Sequence, residues 1–293
     1  MENDAFRVKT DGFHGELFRP AQDNYPGKVL ICFGGSDGNF GLAKQLARIF
    51  QTCGLTTLAL AYVMEEGLPD RFFHVPVDTL EAAAKRLHEM GCEKVGLWGI
   101  SKGAELALTA GSLLPGLVNA VTAVAPMSTV CQGFEMKKGV VLLTGSSWSF
   151  HGRELPYTPF GLEKTPYGRI IWKSLKAREV TMFDLYLPVV EHPAPEAAIK
   201  VENITGPILL ISSKQDTMWP SGPAAEKIME RLQAHGFAYP YQHLCYDCGS
   251  HLFVPMELRA AKFFRGDRGK NREPGRKARM DSLEKTLAFV KTW

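Results

Sequence analysis

Residues 95–108 read VGLWGISKGAELAL, a short apolar run that ends in a glycine-flanked serine and continues into an alanine-rich stretch. The apolar run is typical of a buried strand, and the residues after it are typical of a helix. Its centre, Gly99-Ile100-Ser101-Lys102-Gly103, has the G-x-S-x-G pattern of a sharp strand-to-helix turn that exposes a serine hydroxyl. These residues therefore predict an α/β protein with Ser101 at the carboxyl end of a strand.

Patterns typical of strands and helices alternate on both sides of this stretch. Between the apolar runs, leucine and alanine recur at helical spacing, for example before Gly54 and before Gly91. Strands that alternate with helices form crossover units and a mostly parallel sheet, with helices on both faces. The other strands predicted in this way are Val29–Phe33, Leu55–Ala61, Val118–Ala125, Pro207–Ser213 and Tyr241–Tyr246.

Residues 127–200 interrupt this alternation. They contain six prolines and many aromatic residues, without a clean helical or strand periodicity. A stretch of that length inside a compact domain is more typical of a cap than of a loop. The sequence therefore predicts a core formed by residues 1–126 and 201–293, with a cap or lid inserted at 127–200.

The two ends of the chain carry further signals. Asp11-Gly12, between two short extended runs, predicts an antiparallel hairpin with a two-residue turn. Residues 259–279, the basic segment, hold nine basic and two acidic residues. This segment has too few apolar residues to form core, so a solvated loop is the first interpretation and contact with a polyanionic ligand is the alternative. Residues Ser282–Lys291 predict a terminal helix.

Composition excludes several classes of protein. A chain of 293 residues that is 45% hydrophobic and 22% charged is neither disordered nor a disulfide-rich miniprotein. Its net charge of +3 is concentrated in the basic segment, which argues against a general nucleic-acid-binding surface. No apolar run approaches the ~18–20 residues of a membrane span, and the first residues lack a secretory signal. We expect a cytoplasmic protein that binds neither membrane nor nucleic acid, and its oligomeric state stays open.

The six cysteines are scattered along the chain. Cys245 and Cys248 form a lone C-x-x-C, with neither a second pair nor a histidine doublet nearby. A structural zinc usually needs four ligands. We therefore expect no metal and no cofactor.

A second G-x-S-x-G occurs at Gly34-Gly35-Ser36-Asp37-Gly38. Two contexts favour Ser101 over Ser36 as the nucleophile. The helix after Ser101 begins with small residues that allow it to approach the strand, and its strand lies more centrally in the predicted sheet. The turn that contains Ser36 can instead direct backbone N–H groups at the same pocket, beside the amide of Lys102. Such a pair of donors is what an oxyanion hole needs.

Two further residues fit the roles of a nucleophile's partners. Asp216 lies three residues after a predicted strand, in a position suited to an orienting acid, although a turn or capping aspartate is the alternative. His251 follows the last predicted strand through a loop that can bring its imidazole back over the sheet. The other seven histidines lie in helices, strands or the cap, or precede the sheet. The chain order serine, aspartate, histidine is that of α/β-hydrolases.

Several strings resemble one family of these hydrolases. They include SKGAE at 101–105, DTMW at 216–219, ICFGGSDG at 31–38, LALAY at 58–62 and GSH at 249–251. Over most of its length the chain resembles the C-terminal domain family of acyl-CoA thioester hydrolases and bile acid-CoA:amino acid N-acyltransferases. Eukaryotic members carry an N-terminal β-sandwich domain before this one, whereas here a hairpin precedes the sheet.

The resemblance implies an α/β-hydrolase fold, a coenzyme A thioester as substrate and no metal. It further implies Ser101 as nucleophile, Asp216 as acid and His251 as base, with oxyanion donors at Lys102 and at Gly35 (or Ser36). Relatives that transfer acyl groups to amino acids typically have cysteine at the nucleophile position, so Ser101 favours hydrolysis.

The leading hypothesis is a serine hydrolase that cleaves acyl-CoA thioesters through an acyl-serine intermediate. The first alternative is a carboxylesterase, or a dienelactone-hydrolase-like esterase, that acts on small oxygen esters. A non-catalytic binding protein with the same fold is a third reading, against which the intact serine, aspartate and histidine argue. Relative hydrolysis of acyl-CoA and p-nitrophenyl esters separates the first two hypotheses.

Overall fold

The structure, a computed structural model, describes residues 4–137, 140–161, 167–179, 181–257 and 263–293. Parts of the predicted cap (138–139, 162–166 and 180) and of the basic segment (259–262) lie outside the described residues. The strands of the described residues are β1 (Asp4–Phe6), β2 (His14–Phe18), β3 (Lys28–Phe33), β4 (Thr56–Ala61), β5 (Val75–Pro76), β6 (Lys94–Ile100), β7 (Ala120–Val124), β8 (Gln132–Lys137), β9 (Val140–Ser146), β10 (Trp148–Phe150), β11 (Arg153–Glu154), β12 (Ile208–Ser213) and β13 (Tyr241–Tyr246).

Helices connect most of these strands. They are α1 (Val8–Asp11), α2 (Phe40–Thr52), α3 (Asp78–Glu89), α4 (Lys102–Leu113), α5 (Tyr167–Ala177), α6 (Phe183–Glu191), α7 (Ser221–Ala234) and α8 (Arg272–Val290). None of the described helices is both long and apolar enough to cross a bilayer.

Eight strands form the central sheet, in the order β1-β2-β4-β3-β6-β7-β12-β13. β2 is antiparallel to both of its neighbours, and the six strands from β4 to β13 in this order are parallel. The mostly parallel sheet predicted from the sequence is therefore confirmed. The chain leaves β3 for β4 on one side and then returns to β6 on the other, so the carboxyl ends of β3 and β6 flank the switch point where such sheets bind ligands.

The strand residues alternate between two buried layers, because successive side chains of a strand point to opposite faces. On β3, Val29, Ile31 and Phe33 join the layer beneath α3, α4 and α7. Leu30 and Cys32 join the layer beneath α2 and α8. Helices thus cover both faces of the sheet, as predicted.

The opening hairpin differs from its prediction in one respect. β1 and β2 pair in antiparallel fashion, as expected. However, Asp11 ends the single helical turn α1, and Gly12 caps that turn in the left-handed conformation with φ of 79°. The prediction of a two-residue turn is therefore wrong. The Asp11 carboxylate accepts the N–H of Arg7 and the hydroxyl of Thr10, and these bonds stabilise the helical turn instead.

The described part of residues 127–200 adds elements outside the central sheet. β8 pairs with β9, while β10 lies between β11 and β5 in a three-stranded sheet. Helices α5 and α6 follow, and the latter has Pro188 within it. The division into a core and a cap stays a prediction, and this stretch is called the insertion below.

The terminal helix begins earlier than predicted. α8 starts at Arg272, ten residues before the predicted start, and so includes part of the basic segment. The solvated-loop interpretation is therefore wrong for this part. The helix was hidden because most of its first residues are charged and exposed, while Gly275 and Arg279 supply the buried face. Buried Arg279 pairs with buried Asp267, which no apolar periodicity reveals.

Candidate active site

Ser101 lies at the carboxyl end of β6, beside the switch point of the sheet. Its backbone has φ of 58° and ψ of −123°, a conformation that residues other than glycine rarely adopt. Its N–H donates to the carbonyl of Val124 on β7 at 2.8 Å, so strand pairing continues to the turn. α4 begins at the next residue. The hydroxyl is thus held between a strand end and a helix start.

Two glycines allow this sharp turn. A Cβ at Gly99 would overlap the carbonyl of Gly103, and a Cβ at Gly103 would overlap the carbonyl of Gly34 at the end of β3. α4 consequently starts in contact with both its own strand and the neighbouring one. The two glycines of the G-x-S-x-G pattern are required here by close packing.

The structure brings the three predicted side chains together. Nε2 of His251 lies 2.8 Å from Oγ of Ser101, and Nδ1 lies 2.9 Å from Oδ2 of Asp216. Because an ionised carboxylate can only accept, this arrangement has the proton on Nδ1 and leaves Nε2 to accept from the serine hydroxyl. Asp216 and His251 are 6% and 3% exposed, whereas Ser101 is half-buried. The serine is the member of the three that a ligand can approach.

Asp216 is held by more than the imidazole. Its Oδ1 accepts the N–H groups of Met218 at 2.9 Å and Trp219 at 3.2 Å. Its Oδ2 accepts the hydroxyl of Ser221, the first residue of α7, at 2.6 Å. Four donors, counting His251, therefore fix one carboxylate. The alternative of a simple turn aspartate does not account for the contact with the imidazole.

The loop before His251 is anchored by the basic segment. Oδ2 of Asp267 accepts the N–H of Ser250 at 3.0 Å, and the N–H of Gly249 donates to the carbonyl of Gly266 at 3.1 Å. The buried ion pair between Asp267 and Arg279 fixes this support. Sequence reasoning missed both residues, because it treated their segment as solvated.

The turn after β3 contacts the serine. A Cβ at Gly35 would lie 3.1 Å from Cβ of Ser101 and 3.5 Å from its Oγ. The hydroxyl of Tyr62, just after β4, donates to the carbonyl of Gly35 at 2.7 Å and to that of Gly34 at 3.2 Å. Tyr62 thus anchors the backbone of the turn that contacts the serine. Tyr62 ends the string LALAY that the sequence analysis singled out. Its contact with Gly34 and Gly35 joins separate strands, so the string alone did not reveal it.

The two predicted oxyanion donors belong to two separate segments, the start of α4 and the turn after β3. Lys102 is the first residue of α4, where backbone N–H groups have no carbonyl one turn earlier to accept them. Gly35 adjoins the serine, and the N–H of Ser36 is the alternative donor on that side.

A buried ion pair lies in the first turn of α4. Nζ of Lys102 lies 2.8 Å from Oε2 of Glu105, and both side chains are almost fully buried. Oε1 of Glu105 accepts the N–H of Cys131 at 3.0 Å and the indole N–H of Trp148 at 2.8 Å. This network joins α4 to the insertion. The lysine and glutamate of this network lie three residues apart in the string SKGAE. That spacing was the sequence signal for the network.

The imidazole also contacts an aromatic series that leads into the insertion. The ring of Trp219 meets that of His251 edge to face, with centroids 5.4 Å apart, and Tyr186 on α6 meets Trp219 at 5.6 Å. The indole N–H of Trp219 donates to the carbonyl of Ala125 at 3.0 Å. The side of the imidazole that faces Trp219 is therefore packed against a fixed ring.

One group of possible metal ligands occurs among the described residues. Asp78, Glu81 and His151 place ligand atoms within 4.8 Å of one another. These residues already bond to one another. Nε2 of His151 lies 2.9 Å from Oε2 of Glu81, and the backbone N–H of His151 donates to the carboxylate of Asp78. Exposed carboxylates often cluster without an ion. This group carries no argument for a metal centre.

Comparison with known sequences finds one family. The sequence model described as BAAT / acyl-CoA thioester hydrolase C terminal matches residues 72–257. Human acyl-coenzyme A thioesterase 1 is 30% identical over 252 residues, which are 85% of this chain and 54% of that protein. Human mitochondrial acyl-coenzyme A thioesterase 2 is also 30% identical, over 85% of this chain and 47% of that protein. The chain thus spans about half the length of the curated relatives it matches.

Solved structures share the architecture at low identity. MGS-M1, an α/β hydrolase from a deep-sea metagenome library, has a TM-score of 0.56 and 12% identity, with 100% of this chain and 97% of that chain covered. A puromycin-hydrolyzing peptidase from Mycobacterium tuberculosis has a TM-score of 0.56 and 16% identity, with 99% and 39% covered. At such identities the likeness shows the fold alone. It confirms the predicted α/β-hydrolase fold.

The family match covers more than half of the chain. The matched residues include Ser101, Asp216 and His251, the side chains that the structure brings together. The sequence resemblance is therefore confirmed, and the chain belongs to the BAAT / acyl-CoA thioester hydrolase C-terminal family.

Proposed function

We propose that the chain is a serine hydrolase that cleaves acyl-CoA thioesters through an acyl-serine intermediate. The proposal depends on one observation, the continuous hydrogen-bond chain from Ser101 through His251 to Asp216 at 2.8 and 2.9 Å. A hydroxyl becomes a good nucleophile when a base takes its proton and a carboxylate fixes that base. The family and the two thioesterase relatives support the substrate class.

Acylation begins when Oγ of Ser101 attacks the thioester carbonyl while its proton passes to Nε2 of His251. The carbonyl oxygen becomes an oxyanion, which the N–H of Lys102 and that of Gly35 or Ser36 stabilise. One such donor is worth ~3 kcal/mol of transition-state stabilisation. The imidazolium is stabilised by the carboxylate of Asp216. The carbon–sulfur bond then breaks, and the imidazolium protonates the departing sulfur.

Deacylation repeats these steps with water. His251 takes a proton from a water molecule, which attacks the acyl-serine carbonyl. The second tetrahedral intermediate collapses, the carboxylic acid leaves, and Nε2 returns its proton to Oγ of Ser101. Water is the acceptor in these steps, so the proposed reaction is hydrolysis, and serine rather than cysteine at position 101 favours it over transfer to an amine. The cytoplasmic location stays a prediction, since one relative is named as mitochondrial.

The test measures thiol release from a series of acyl-CoAs of increasing chain length, alongside p-nitrophenyl esters of the same acyl groups. We expect kcat/KM to be higher for the thioester of a matched pair. A clear preference for the oxygen ester would favour the carboxylesterase alternative. If a correctly folded chain hydrolyses neither the thioesters nor the oxygen esters, the result would favour a binding protein.

A further inference from the structure

A cavity of about 500 Å³ lies between α5 of the insertion and the loop that carries Asp216. We call it the α5 cavity. Its volume is within the range of small-molecule sites, which is about 300–1,000 Å³. Trp172, Lys173 and Lys176 form one wall, Arg265 of the basic segment contributes another, and Thr217 lies on the side of the core. The mechanism proposed above uses none of these four side chains from α5 and the basic segment.

Three basic side chains and three carboxylates line the cavity, and two of these carboxylates are also paired with basic side chains from outside the lining. Asp184 contacts both Lys173, at 2.5 Å, and Arg169, at 3.7 Å. One negative charge is thus shared by two positive ones. Nζ of Lys176 lies over the ring of Trp172, 4.6 Å from its centroid, and adds a further positive charge.

A second carboxylate is shared in the same way. Glu179, whose side chain is 1% exposed, contacts Arg265 at 2.9 Å and Arg268 at 3.5 Å. Arg268 also donates to the carbonyls of Ala177 and Arg178 at the end of α5. These bonds fix the basic segment against the helix. The Arg265 guanidinium is therefore held at the cavity before any ligand arrives, which favours the binding of an anion.

An aromatic ring stands beside these charges. Trp172 is 58% exposed although it is a large apolar side chain, and its neighbours Lys173 and Lys176 line the same cavity. Indole rings stack on planar bases, and lysine and arginine bind phosphate oxygens. The combination fits a ligand that has an aromatic base and several phosphate groups.

The α5 cavity also adjoins the reaction centre. Asp216 forms part of its wall, and only His251 separates this carboxylate from Ser101. A coenzyme A thioester has its reacting sulfur at one end of a flexible arm and an adenine nucleotide with three phosphates at the other. We propose that the α5 cavity binds the adenine nucleotide end of the coenzyme A leaving group, with the base against Trp172 and the phosphates against Lys173, Lys176 and Arg265. This inference rests on the proposed function.

The first test compares two substrates with the same acyl group, an acyl-CoA and the acyl-pantetheine thioester that lacks the nucleotide. The double variant Trp172→Ala/Lys176→Gln changes two side chains on the wall of the α5 cavity. We expect the ratio of KM for acyl-CoA to KM for acyl-pantetheine to rise about tenfold, the loss of one or two charge-assisted contacts. Lys227→Gln on α7 is the matched control and should leave the ratio unchanged. An unchanged ratio in the double variant would overturn the inference.

The second test needs no turnover. Adenosine 3′,5′-bisphosphate is titrated calorimetrically into the unmodified chain, the double variant and Lys227→Gln. We expect binding to the unmodified chain and to the control, with Kd at least about tenfold weaker in the double variant. No binding to the unmodified chain, or equal binding to all three, would overturn the inference. If neither thioester is hydrolysed but this binding pattern is found, the proposed function fails while the α5 cavity keeps its ligand.

Discussion

The chain contains the same pentapeptide pattern twice, and the two copies have different structures. Ser101, in the second copy, has φ of 58° and lies 2.8 Å from the imidazole of His251. Ser36, in the first copy, is exposed. In that copy it is Gly38 that has the positive φ, at 60°. α4 begins directly after Ser101, whereas α2 begins four residues after Ser36. The difference teaches that the pattern permits a nucleophile turn but does not by itself form one.

The two copies are also parts of one site. They end adjacent parallel strands, with Phe33 paired to Gly99. Gly103 of the second copy packs on the carbonyl of Gly34 of the first, and Gly35 adjoins Ser101. In the proposed mechanism one copy supplies the nucleophile and the other an oxyanion donor. Each change below tests that division of roles.

Ser101→Ala should have the largest effect. Without the hydroxyl no acyl-enzyme can form, so kcat for acyl-CoA hydrolysis should fall at least about a thousandfold. Because the side chain is small and half-buried, the circular dichroism spectrum and Tm should change little. Turnover within tenfold of the unmodified chain would contradict the assignment.

Gly103→Ala should break the contact between the two copies. The added methyl would overlap the carbonyl of Gly34, so either α4 or the turn must shift. We expect the free energy of unfolding to fall by about 2 kcal/mol and kcat to fall with it. Chemical denaturation measures the first quantity. Gly168→Ala on the exposed helix α5 is the control, because a Cβ there meets nothing within 4 Å. It should not destabilise the chain. An equal fall in the free energy of unfolding in both variants would refute the packing argument.

Tyr62→Phe should have a smaller effect. It removes the hydroxyl that donates to Gly34 and Gly35 but keeps the buried ring. Losing this bond costs about 1 kcal/mol. If the turn then presents its N–H groups less accurately, kcat should fall several-fold while KM stays nearly constant. Tyr241→Phe, at the opposite end of the sheet, controls for the loss of a phenolic hydroxyl. A change in KM alone in Tyr62→Phe would indicate a role in substrate binding instead.

Ser36→Ala should have the smallest effect. The proposed role of this turn uses its backbone, and the serine side chain is exposed. Substitutions of exposed side chains usually change the free energy of unfolding by less than about 0.5 kcal/mol. An effect of that size on the transition state would change kcat/KM by less than about threefold, and we expect no larger change. Steady-state kinetics with an acyl-CoA checks this expectation. Abolished turnover, with Ser101→Ala still active, would reverse the roles of the two serines.

Much of the fold could be predicted because local patterns carry it. The bounds of β13 agree with the predicted strand Tyr241–Tyr246, and Asp216 and His251 were found because each follows a predicted strand. The supports of the site could not be predicted in this way. Tyr62 reaches Gly35 across strands, and Asp267 pairs with Arg279 within a segment that looks solvated. Such contacts depend on the tertiary structure rather than on local spacing.

The most direct measurement is the site of covalent labelling by a fluorophosphonate probe, which reacts with activated serines. The unmodified chain, Ser101→Ala and Ser36→Ala are each treated with the probe, digested and analysed by peptide mass spectrometry. The account predicts one labelled peptide, which contains Ser101 and is labelled in the unmodified chain and in Ser36→Ala only. Labelling of Ser36, or persistent labelling of Ser101→Ala at any serine, would contradict it.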